Sequence, residues 1–394
     1  MAWIGFNSLR DLPYSLGHDR FAPSPGINML HRLTHDLTSY KLPDVFEFRE
    51  DTPDENQIEI VSRLIEYYFH MKSECEKTNA PTINGIWENF SKLFVDFEST
   101  LNSRNVEVVS EALLNVCKTS LVSGFASYHS YTSIAQDRRA RFFEAYLTVD
   151  RVLSLAESLG AAFPHSPYQA RWGYHDLDLD AVMDSLILRT NIDITPPKAG
   201  GGAFGIRVPN GVLSISDVLA LYISNRTHTI LNDFSNKSVC EIGGGTGTLA
   251  FYLSKTCADS VTVADLPIVS IIQGYYLMKS LGPKHVHLYG EPKGSERFKL
   301  IPFWELDSIP DKSVSLFINV DSLPEIDEGI SRNYMGVIKR KAINGFYSIN
   351  QEAQVNKQGV VQNLTETAGG FQRIARFPYW MIKGYVEELY KIAS

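Results

Sequence analysis

The segment SVCEIGGGTGTLAFYL, residues 238–253, contains residue types that could bind a cofactor. Four glycines stand between two apolar runs, and glycine adopts backbone angles closed to other residues and lets a ligand approach the main chain. A strand is predicted before them and a helix after them, so the turn should lie at the carboxyl end of a strand, where α/β sheets bind ligands. We predict a cofactor-binding turn, with a purely structural tight turn as the alternative. The predicted contacts are Gly243, Gly244, Gly245 and Gly247.

The spacing of these glycines excludes two common nucleotide-binding motifs. The dinucleotide fingerprint GxGxxG, counted from Gly243, requires a glycine where the chain has Thr248. A phosphate-binding P-loop requires GK[ST] after its glycines, and this sequence has none there. A dehydrogenase and a P-loop enzyme are therefore disfavoured.

Two acidic residues flank the glycine turn. Glu241 stands near the end of the first predicted strand, and Asp265 ends the second strand, in VTVADLP. One carboxylate can accept hydrogen bonds from both ribose hydroxyls, which suits Asp265, although an ordinary strand-end acid is the alternative. Glu241 could hold an ammonium group directly or through water. A ribose, an adenine and an amino-acid tail without a pyrophosphate describe S-adenosylmethionine, and we predict this cofactor.

Composition narrows the class of protein. Hydrophobic residues make up 44% and charged residues 21% of the 394 residues, and the net charge of −8 argues against a nucleic-acid partner, since such proteins usually carry a basic excess. The four cysteines form no CxxC pair, and the apolar runs are shorter than the ~20 residues that span a bilayer. Charge appears too early for a signal peptide. We expect a cytoplasmic protein with no membrane partner.

The hydrophobic pattern changes period along the chain. Apolar residues recur at helical spacing in the first half, whereas short β-rich runs alternate with helical runs after residue 236. This alternation predicts an α/β fold with a mainly parallel sheet and helices on both faces. We predict a mostly α-helical N-terminal domain, residues 1–195, which covers the active site, forms a homodimer interface or does both. A cofactor-binding domain, residues 196–394, follows.

A glycine- and proline-rich segment, residues 193–211, joins the two predicted domains. Its composition favours a linker or a mobile loop, and we expect it to move over the active site as a lid that excludes water. Arg207 in this segment could meet the cofactor carboxylate. Tyr222 could reach the cofactor from the following helix, for which Ser214 or Ser216 is the expected N-cap.

Two pairs of motifs resemble a known family. VCEIGGGTG followed by VADLP resembles the class I, Rossmann-like S-adenosylmethionine-dependent methyltransferases. SLFINVDSLPEID and GFYSINQE resemble bacterial sugar O-methyltransferases, some from natural-product and surface-glycan pathways, over roughly residues 200–394. The resemblance implies a Rossmann-like methyltransferase domain. Its Asn-x-x-Ser-x-x-Glu and Tyr-Ser-x-Asn-x-Glu patterns fall here on Asn319, Ser322 and Glu325, and on Tyr347, Ser348, Asn350 and Glu352.

The remaining cofactor contacts follow from this resemblance. Relatives often contact the adenine or its ribose at the position of Glu291, although a solvated loop acid is the alternative. Leu266, Asn319 and Val320 complete the predicted cofactor-binding set.

Methyl transfer to a hydroxyl needs an aligned acceptor and a general base. The base should lie at the carboxyl ends of the fourth and fifth strands. We predict Asp321, with Glu325 and Glu352 as alternates; helix N-terminal charge or ordinary strand-end polarity would also account for these acids. The three carboxylates could suit magnesium, but no spacing requires a metal and we predict none.

The predicted function is methyl transfer from S-adenosylmethionine to a hydroxyl of a sugar or glycosylated metabolite. A phenolic, polyketide or amine acceptor is one alternative, because VADLP also resembles small-molecule O-methyltransferases acting on phenols. A non-catalytic module that binds the cofactor and regulates or scaffolds is the other.

Overall fold

The computed structural model describes residues 45–78, 86–122, 130–162, 179–190, 193–292, 294, 297–352, 360–382 and 384–393. Every predicted site residue lies within these ranges. Part of the predicted helical domain, including residues 1–44, falls outside them. The described helices are α1 Gln57–Thr78, α2 Ile86–Asn102, α3 Val106–Leu114, α4 Tyr131–Gln136, α5 Arg138–Ser158, α6 Leu179–Thr190, α7 Ile215–Leu231, α8 Thr248–Thr256, α9 Pro267–Leu281, α10 Glu328–Lys341 and α11 Val361–Ala368.

The strands form two sheets. The small sheet contains β1 Phe46–Phe48, β2 Phe204–Val208 and β3 Gly211–Ser214. The large sheet contains β4 Ser238–Ile242, β5 Ser260–Asp265, β6 Val286–Leu288, β7 Phe298–Pro302, β8 Val314–Val320, β9 Ala342–Gln351, β10 Phe371–Pro378 and β11 Tyr385–Ile392.

The large sheet is doubly wound. Its order is β10-β11-β9-β8-β4-β5-β7-β6, and all neighbours are parallel except β11, which runs antiparallel to β9 and β10. The chain builds outward from β4 through β5 in one direction and through β8 and β9 in the other, so the strand order reverses between β4 and β8. In such sheets the crevice outside the carboxyl ends at this switch point binds ligands. The predicted α/β fold with a mainly parallel sheet is confirmed.

The β-rich runs predicted after residue 236 all form strands of the large sheet, and this sheet contains three more strands than were predicted. β7 lies between β5 and β6, and the β10–β11 hairpin forms the antiparallel edge. The side chains of β10 are mostly exposed and include Arg373 and Arg376. Charged side chains are typical of an edge strand, but they remove the apolar alternation by which a strand is recognised in a sequence.

The segment at residues 193–211 differs from the prediction. It contributes β2, which pairs with β1 on one side and with β3 on the other, and the first residue of β3. Its glycines are packed: the N–H of Cys117 donates to Gly201 O (3.1 Å), and a Cβ at Gly201 would stand 2.1 Å from Leu114 O. The prediction of a linker or irregular loop is wrong here, because the segment forms strands and its glycines serve close packing; its movement as a lid stays a prediction. The pairing of β1 with β2 joins the two predicted domains, residues 1–195 and 196–394. The division into these domains stays a prediction.

Arg49 fixes the small sheet to α7. Its guanidinium is buried and donates to the carbonyl oxygens of Ala199 (3.0 Å) and Val212 (2.6 Å) and to the Asp217 carboxylate (2.5 Å). Asp217 also accepts from the N–H of Ser214 (2.7 Å), whose hydroxyl caps α7 in a capping box. Of the two predicted N-cap residues, Ser214 and Ser216, the structure therefore shows Ser214 as the N-cap of α7. The interaction joins chain segments more than 160 residues apart.

The helices of the first half share a core with the large sheet. α1 packs along α9 so closely that a Cβ at Gly274 would lie 2.6 Å from Leu64 Cδ2. Arg63 of α1 donates to Val286 O (2.8 Å) at the start of β6. The described N-terminal helices are thus built onto the sheet that carries the predicted site.

We expect Asp217→Ala to lower the free energy of unfolding by about 3–5 kcal/mol, because it leaves the buried Arg49 guanidinium without its counter-charge. The matched control is Glu47→Ala, which breaks an exposed ion pair with Arg207 between β1 and β2 and should cost about 1 kcal/mol or less. Urea denaturation of both variants measures the difference. Equal losses would mean that the buried pair does not anchor the small sheet.

Candidate functional site

The crevice begins where β4 and β8 end side by side. Ile242 pairs with Asn319, and the Asn319 side-chain amide donates to Ile242 O (2.8 Å) and to Ser322 Oγ (2.5 Å). The Asn319 amide oxygen accepts from the N–H of Leu323 (3.3 Å). The side chain therefore ties the ends of both strands together. The structure places Asn319 in the frame of the crevice, and its predicted cofactor contact stays a prediction.

The glycine turn is shaped by its protein neighbours. Gly243, Gly245 and Gly247 have φ of +74°, +55° and +85°, which is the left-handed region that favours glycine. A Cβ at Gly243 would stand 2.3 Å from Ser322 Oγ, and one at Gly244 would stand 2.6 Å from Val263 Cγ1. The structural alternative therefore explains Gly243 and Gly244 in part, because side chains there would collide with the fold itself. Gly243, Gly244 and Gly245 are half-buried, so the protein does not fully cover this part of the turn.

Glu241 lies directly beneath this turn. Its side chain is 2% exposed, and its Oε2 atom is 3.2 Å from the position of a Cβ on Gly244. Within the described ranges Oε2 has no hydrogen-bond partner. Burial, and then the nearby Asp265 carboxylate, raise the pKa of Glu241 to about 8. A buried carboxyl in this state favours a bound cation, which would stabilise its ionised form.

Asp265 ends β5 beside Glu241. Its carboxylate accepts from the N–H of Leu266 (2.7 Å) and from the side-chain amide of Gln273 (2.6 Å). Burial raises the pKa of Asp265 to about 6, although these donors act to lower it. The backbone N–H groups of Gly244 and Gly245 also lie close enough to this carboxylate to lower its pKa by hydrogen bonding. Asp265 therefore helps to hold the glycine turn, and its predicted contact with ribose hydroxyls stays a prediction.

Gln273 is a further polar residue at this turn that the sequence did not predict. It lies on α9, and its amide nitrogen is 3.3 Å from the position of a Cβ on Gly244, so it reaches the turn as well as Asp265. Its amide oxygen is buried and unpartnered in the described part of the chain. The signal in the sequence is a polar side chain in the middle of a mostly apolar helix.

A second group of carboxyls lies at the end of β8. Asp321 has φ +54°, and its N–H donates to Ile349 O (2.9 Å) on β9. Its Oδ2 accepts from the Tyr385 hydroxyl (2.7 Å), and its buried Oδ1 has no partner among the residues described. Burial raises the pKa of Asp321 to about 6; burial and the Asp321 charge raise that of Glu325 to about 8. Val320, half-buried, precedes Asp321 on β8.

Glu352, the third predicted catalytic carboxylate, is engaged elsewhere. It follows β9 and forms a two-point ion pair with Arg376 of β10, with distances of 2.9 and 2.7 Å. Such bidentate pairs are geometrically specific. Its carboxylate is thus held at the sheet edge, and it is not brought together with Asp321 and Glu325 by any described contact.

Three predicted cofactor residues have protein partners. Arg207 on β2 is exposed and paired with Glu47, and Tyr222 donates to the buried Glu387 carboxylate (2.7 Å). Burial and Glu387 raise the pKa of Tyr222 to about 12.

Glu291 accepts from Arg63 (2.9 Å to each oxygen) and from the N–H of Leu288 (2.9 Å). Burial acts to raise the pKa of Glu291, but these donors outweigh it and the pKa lies below its usual value. Arg63 and Leu288 therefore hold both carboxylate oxygens, and the predicted contact with adenine or ribose stays a prediction.

Two further features concern metal binding and membrane insertion. Within the ranges that the structure describes, no three His, Cys, Asp or Glu side chains cluster as metal ligands would. No helix of that same part of the chain is long and apolar enough to cross a membrane.

Gly243→Ala should lower the free energy of unfolding by about 2–5 kcal/mol, since it adds left-handed backbone strain to a collision with Ser322. Gly247→Ala is the matched control: its φ is also positive, but the nearest atoms to a Cβ are 3.6 Å away, so only the strain of about 1–2 kcal/mol is expected. Denaturant midpoints measure both. Adding Ser322→Gly should partly restore the Gly243→Ala variant, and a failure to do so would contradict the collision.

Comparison with known proteins gives only distant similarity. No family model matches the chain, and no curated protein matches it. Among solved structures, a SAM dependent methyltransferase from Aquifex aeolicus is 18% identical, with 43% of this chain and 89% of that chain covered and a TM-score of 0.31.

Two further methyltransferases of different kinds are similarly distant. Magnesium protoporphyrin IX methyltransferase from Synechocystis PCC 6803, with bound SAH, is 14% identical over 45% of this chain and 83% of that chain, with a TM-score of 0.33. The ribosomal protein L11 methylase from Lactobacillus delbrueckii subsp. bulgaricus is 13% identical over 45% and 78%, with a TM-score of 0.31. These identities and TM-scores are too low to assign an activity or a methyl acceptor to this chain.

Proposed function

We propose that this protein is an S-adenosylmethionine-dependent methyltransferase that acts on a hydroxyl group. The observation that supports it most is a buried carboxylate oxygen of Glu241, which has no hydrogen-bond partner among the described residues and lies beneath a glycine turn at the switch point, beside Asp265. Neighbouring carboxyls in a buried site favour a positively charged ligand, since one ionised carboxylate raises the pKa of the next.

The charge of the crevice distinguishes among nucleoside cofactors. S-adenosylmethionine carries an ammonium and a sulfonium, both positive, one carboxylate and no phosphate, so its net charge is positive. A dinucleotide would bring a negatively charged pyrophosphate towards Asp265, and towards Glu241 wherever that residue is ionised, and these carboxylates would oppose it. Glu241 would hold the ammonium, Asp265 would accept from the ribose hydroxyls, and the glycine turn would lie along the cofactor.

Asp321 is the proposed general base. When bound, the cofactor supplies an activated methyl group on its sulfonium. The Asp321 carboxyl has a pKa near 6 and is therefore ionised at neutral pH, whereas Glu325, with a pKa near 8, holds its proton. One negative charge shared by the pair is compatible with burial, and the free Oδ1 of Asp321 is available to accept a proton from the acceptor hydroxyl.

A sugar or glycosylated metabolite is the proposed acceptor. The resemblance of SLFINVDSLPEID and GFYSINQE to sugar O-methyltransferases supports it. Trp380, 39% exposed and edge-on to Tyr222 at 5.0 Å, lies in the hairpin that carries Tyr385 and could stack on a sugar ring. The helices before residue 195 would cover the acceptor, or join two copies of the chain.

Calorimetry with S-adenosylmethionine and its demethylated product tests the cofactor. The proposed binding mode requires an ionised Glu241, and this residue is protonated in the free protein below about pH 8. The affinity for the cofactor should therefore rise between about pH 6 and 8, by up to tenfold per pH unit. Glu241→Gln should weaken binding about 10–100-fold at pH 8 and flatten this dependence.

Glu291→Gln is the matched control for that experiment. Its carboxylate already accepts from Arg63, so its neutralisation should not remove the pH dependence of binding. The absence of any heat with either ligand in folded protein would refute the proposed function.

Asp321→Asn should lower kcat about 10²–10⁴-fold with little change in cofactor affinity, because it removes the base while asparagine tolerates the left-handed backbone. Transfer of labelled methyl groups to a panel of nucleotide sugars, methyl glycosides and phenols measures it. In the unchanged protein the rate should rise with pH through about 6, as the base ionises.

Two results would redirect this interpretation. Tight cofactor binding with no transfer to any panel member would favour the non-catalytic module. An Asp321→Asn variant as fast as the unchanged protein would exclude Asp321 as the base.

A further inference from the structure

Tyr385 reaches the predicted catalytic centre from the antiparallel edge of the sheet. It begins β11 and pairs with Gln351 of β9, two residues beyond Ile349, whose carbonyl oxygen accepts from the Asp321 N–H. The sheet therefore brings Tyr385 and Asp321 together although they are 64 residues apart in the chain. The Tyr385 hydroxyl donates to Asp321 Oδ2 at 2.7 Å.

The two oxygens of the Asp321 carboxylate differ. Oδ2 is occupied by the tyrosine, whereas Oδ1 is buried and has no partner in the described chain. The Asp321 backbone is held by its N–H bond to Ile349 O in a left-handed conformation that is uncommon for residues other than glycine. Backbone and tyrosine together fix the orientation of the carboxylate.

The hairpin before β11 holds Tyr385 in turn. Its N–H donates to Ile382 O (3.3 Å), and its carbonyl oxygen accepts from the N–H of Tyr379 (2.8 Å). Tyr379 is itself buried, and its hydroxyl contacts Met381 Sδ (3.3 Å) instead of a carboxylate. The tyrosine hydroxyl is thus presented by a short loop closed by two backbone hydrogen bonds.

We propose that Tyr385 is a positioning residue whose hydroxyl fixes Asp321 so that Oδ1 is the oxygen that receives the acceptor proton. This rests on the proposed function. The acceptor O–H bond breaks as the Oδ1–H bond forms, the acceptor oxygen gains the methyl group, and the sulfur keeps the electron pair of the broken S–C bond. The carboxyl then returns its proton to water.

The titratable groups described around Asp321 are few. Tyr385 faces it from β11, and Glu325 faces it from the 3-10 turn Leu323–Glu325. Burial raises the pKa of Asp321, and the tyrosine hydrogen bond counteracts part of that rise. Without the hydroxyl, Asp321 should hold its proton to higher pH.

The test compares Tyr385→Phe with Tyr379→Phe, which removes a buried hydroxyl from the same hairpin without touching Asp321. With the panel acceptor of highest turnover, Tyr385→Phe should lower kcat about 10–100-fold at pH 7 with little change in KM, and move the acid limb of the pH–rate profile up by roughly one unit. Tyr379→Phe should leave the limb in place. Identical profiles for the two variants would overturn the proposal.

A second readout needs neither cofactor nor acceptor. Carbon-13 NMR of the protein labelled at aspartate carboxyls, with Asp321 assigned by its loss in Asp321→Asn, reports its titration directly. Asp321 should titrate near pH 6 in the unchanged protein and about one unit higher in Tyr385→Phe. An unchanged titration would overturn the positioning role even in an active enzyme. A shifted titration without cofactor binding would refute only the proposed function.

Discussion

The carbonyl oxygen of Ile242 accepts the hydrogen bonds that join β4 and β8 at their carboxyl ends. It accepts from Asn319 and Ser322 at 2.8 and 3.2 Å, which ties the last residue of β4 to β8 where the strand order reverses. The chain must turn away in opposite directions on the two sides of this contact. Gly243 consequently has no room for a side chain, and the residues after β8 bend into the left-handed backbone of Asp321. One hydrogen-bonded junction thus shapes both halves of the site.

Around this junction the fold concentrates buried carboxyls that it does not neutralise. Glu241 and Asp265 lie on one side, Asp321 and Glu325 on the other, and burial raises the pKa of all four. Asp217, by contrast, is buried but ion-paired with Arg49. Uncompensated burial of a carboxyl is unfavourable, and its concentration at the switch point is the basis of the proposed ligand site.

Described elements from the first part of the chain pack against elements of the large sheet and its helices. Arg49 anchors the small sheet to α7, and α1 packs against α9 through the surface of Gly274. Arg63 of α1 holds Glu291 beyond β6. The helices therefore stabilise elements that carry the site, and a change in their packing would be transmitted to the sheet.

Hydrophobic period and turn residues predicted the α/β fold and the glycine turn with its two flanking acids, because both depend on neighbouring residues. The assignment of Asp321 as the base stays a prediction. The sequence did not reveal that the glycines at residues 200–202 are closely packed, since the backbone they pack against comes from distant segments. Tertiary structure alone decided that Glu352 pairs with Arg376 and that Gln273 and Tyr385 join the site. These residues meet through helix and strand packing, and no motif or spacing in the sequence predicts such contacts.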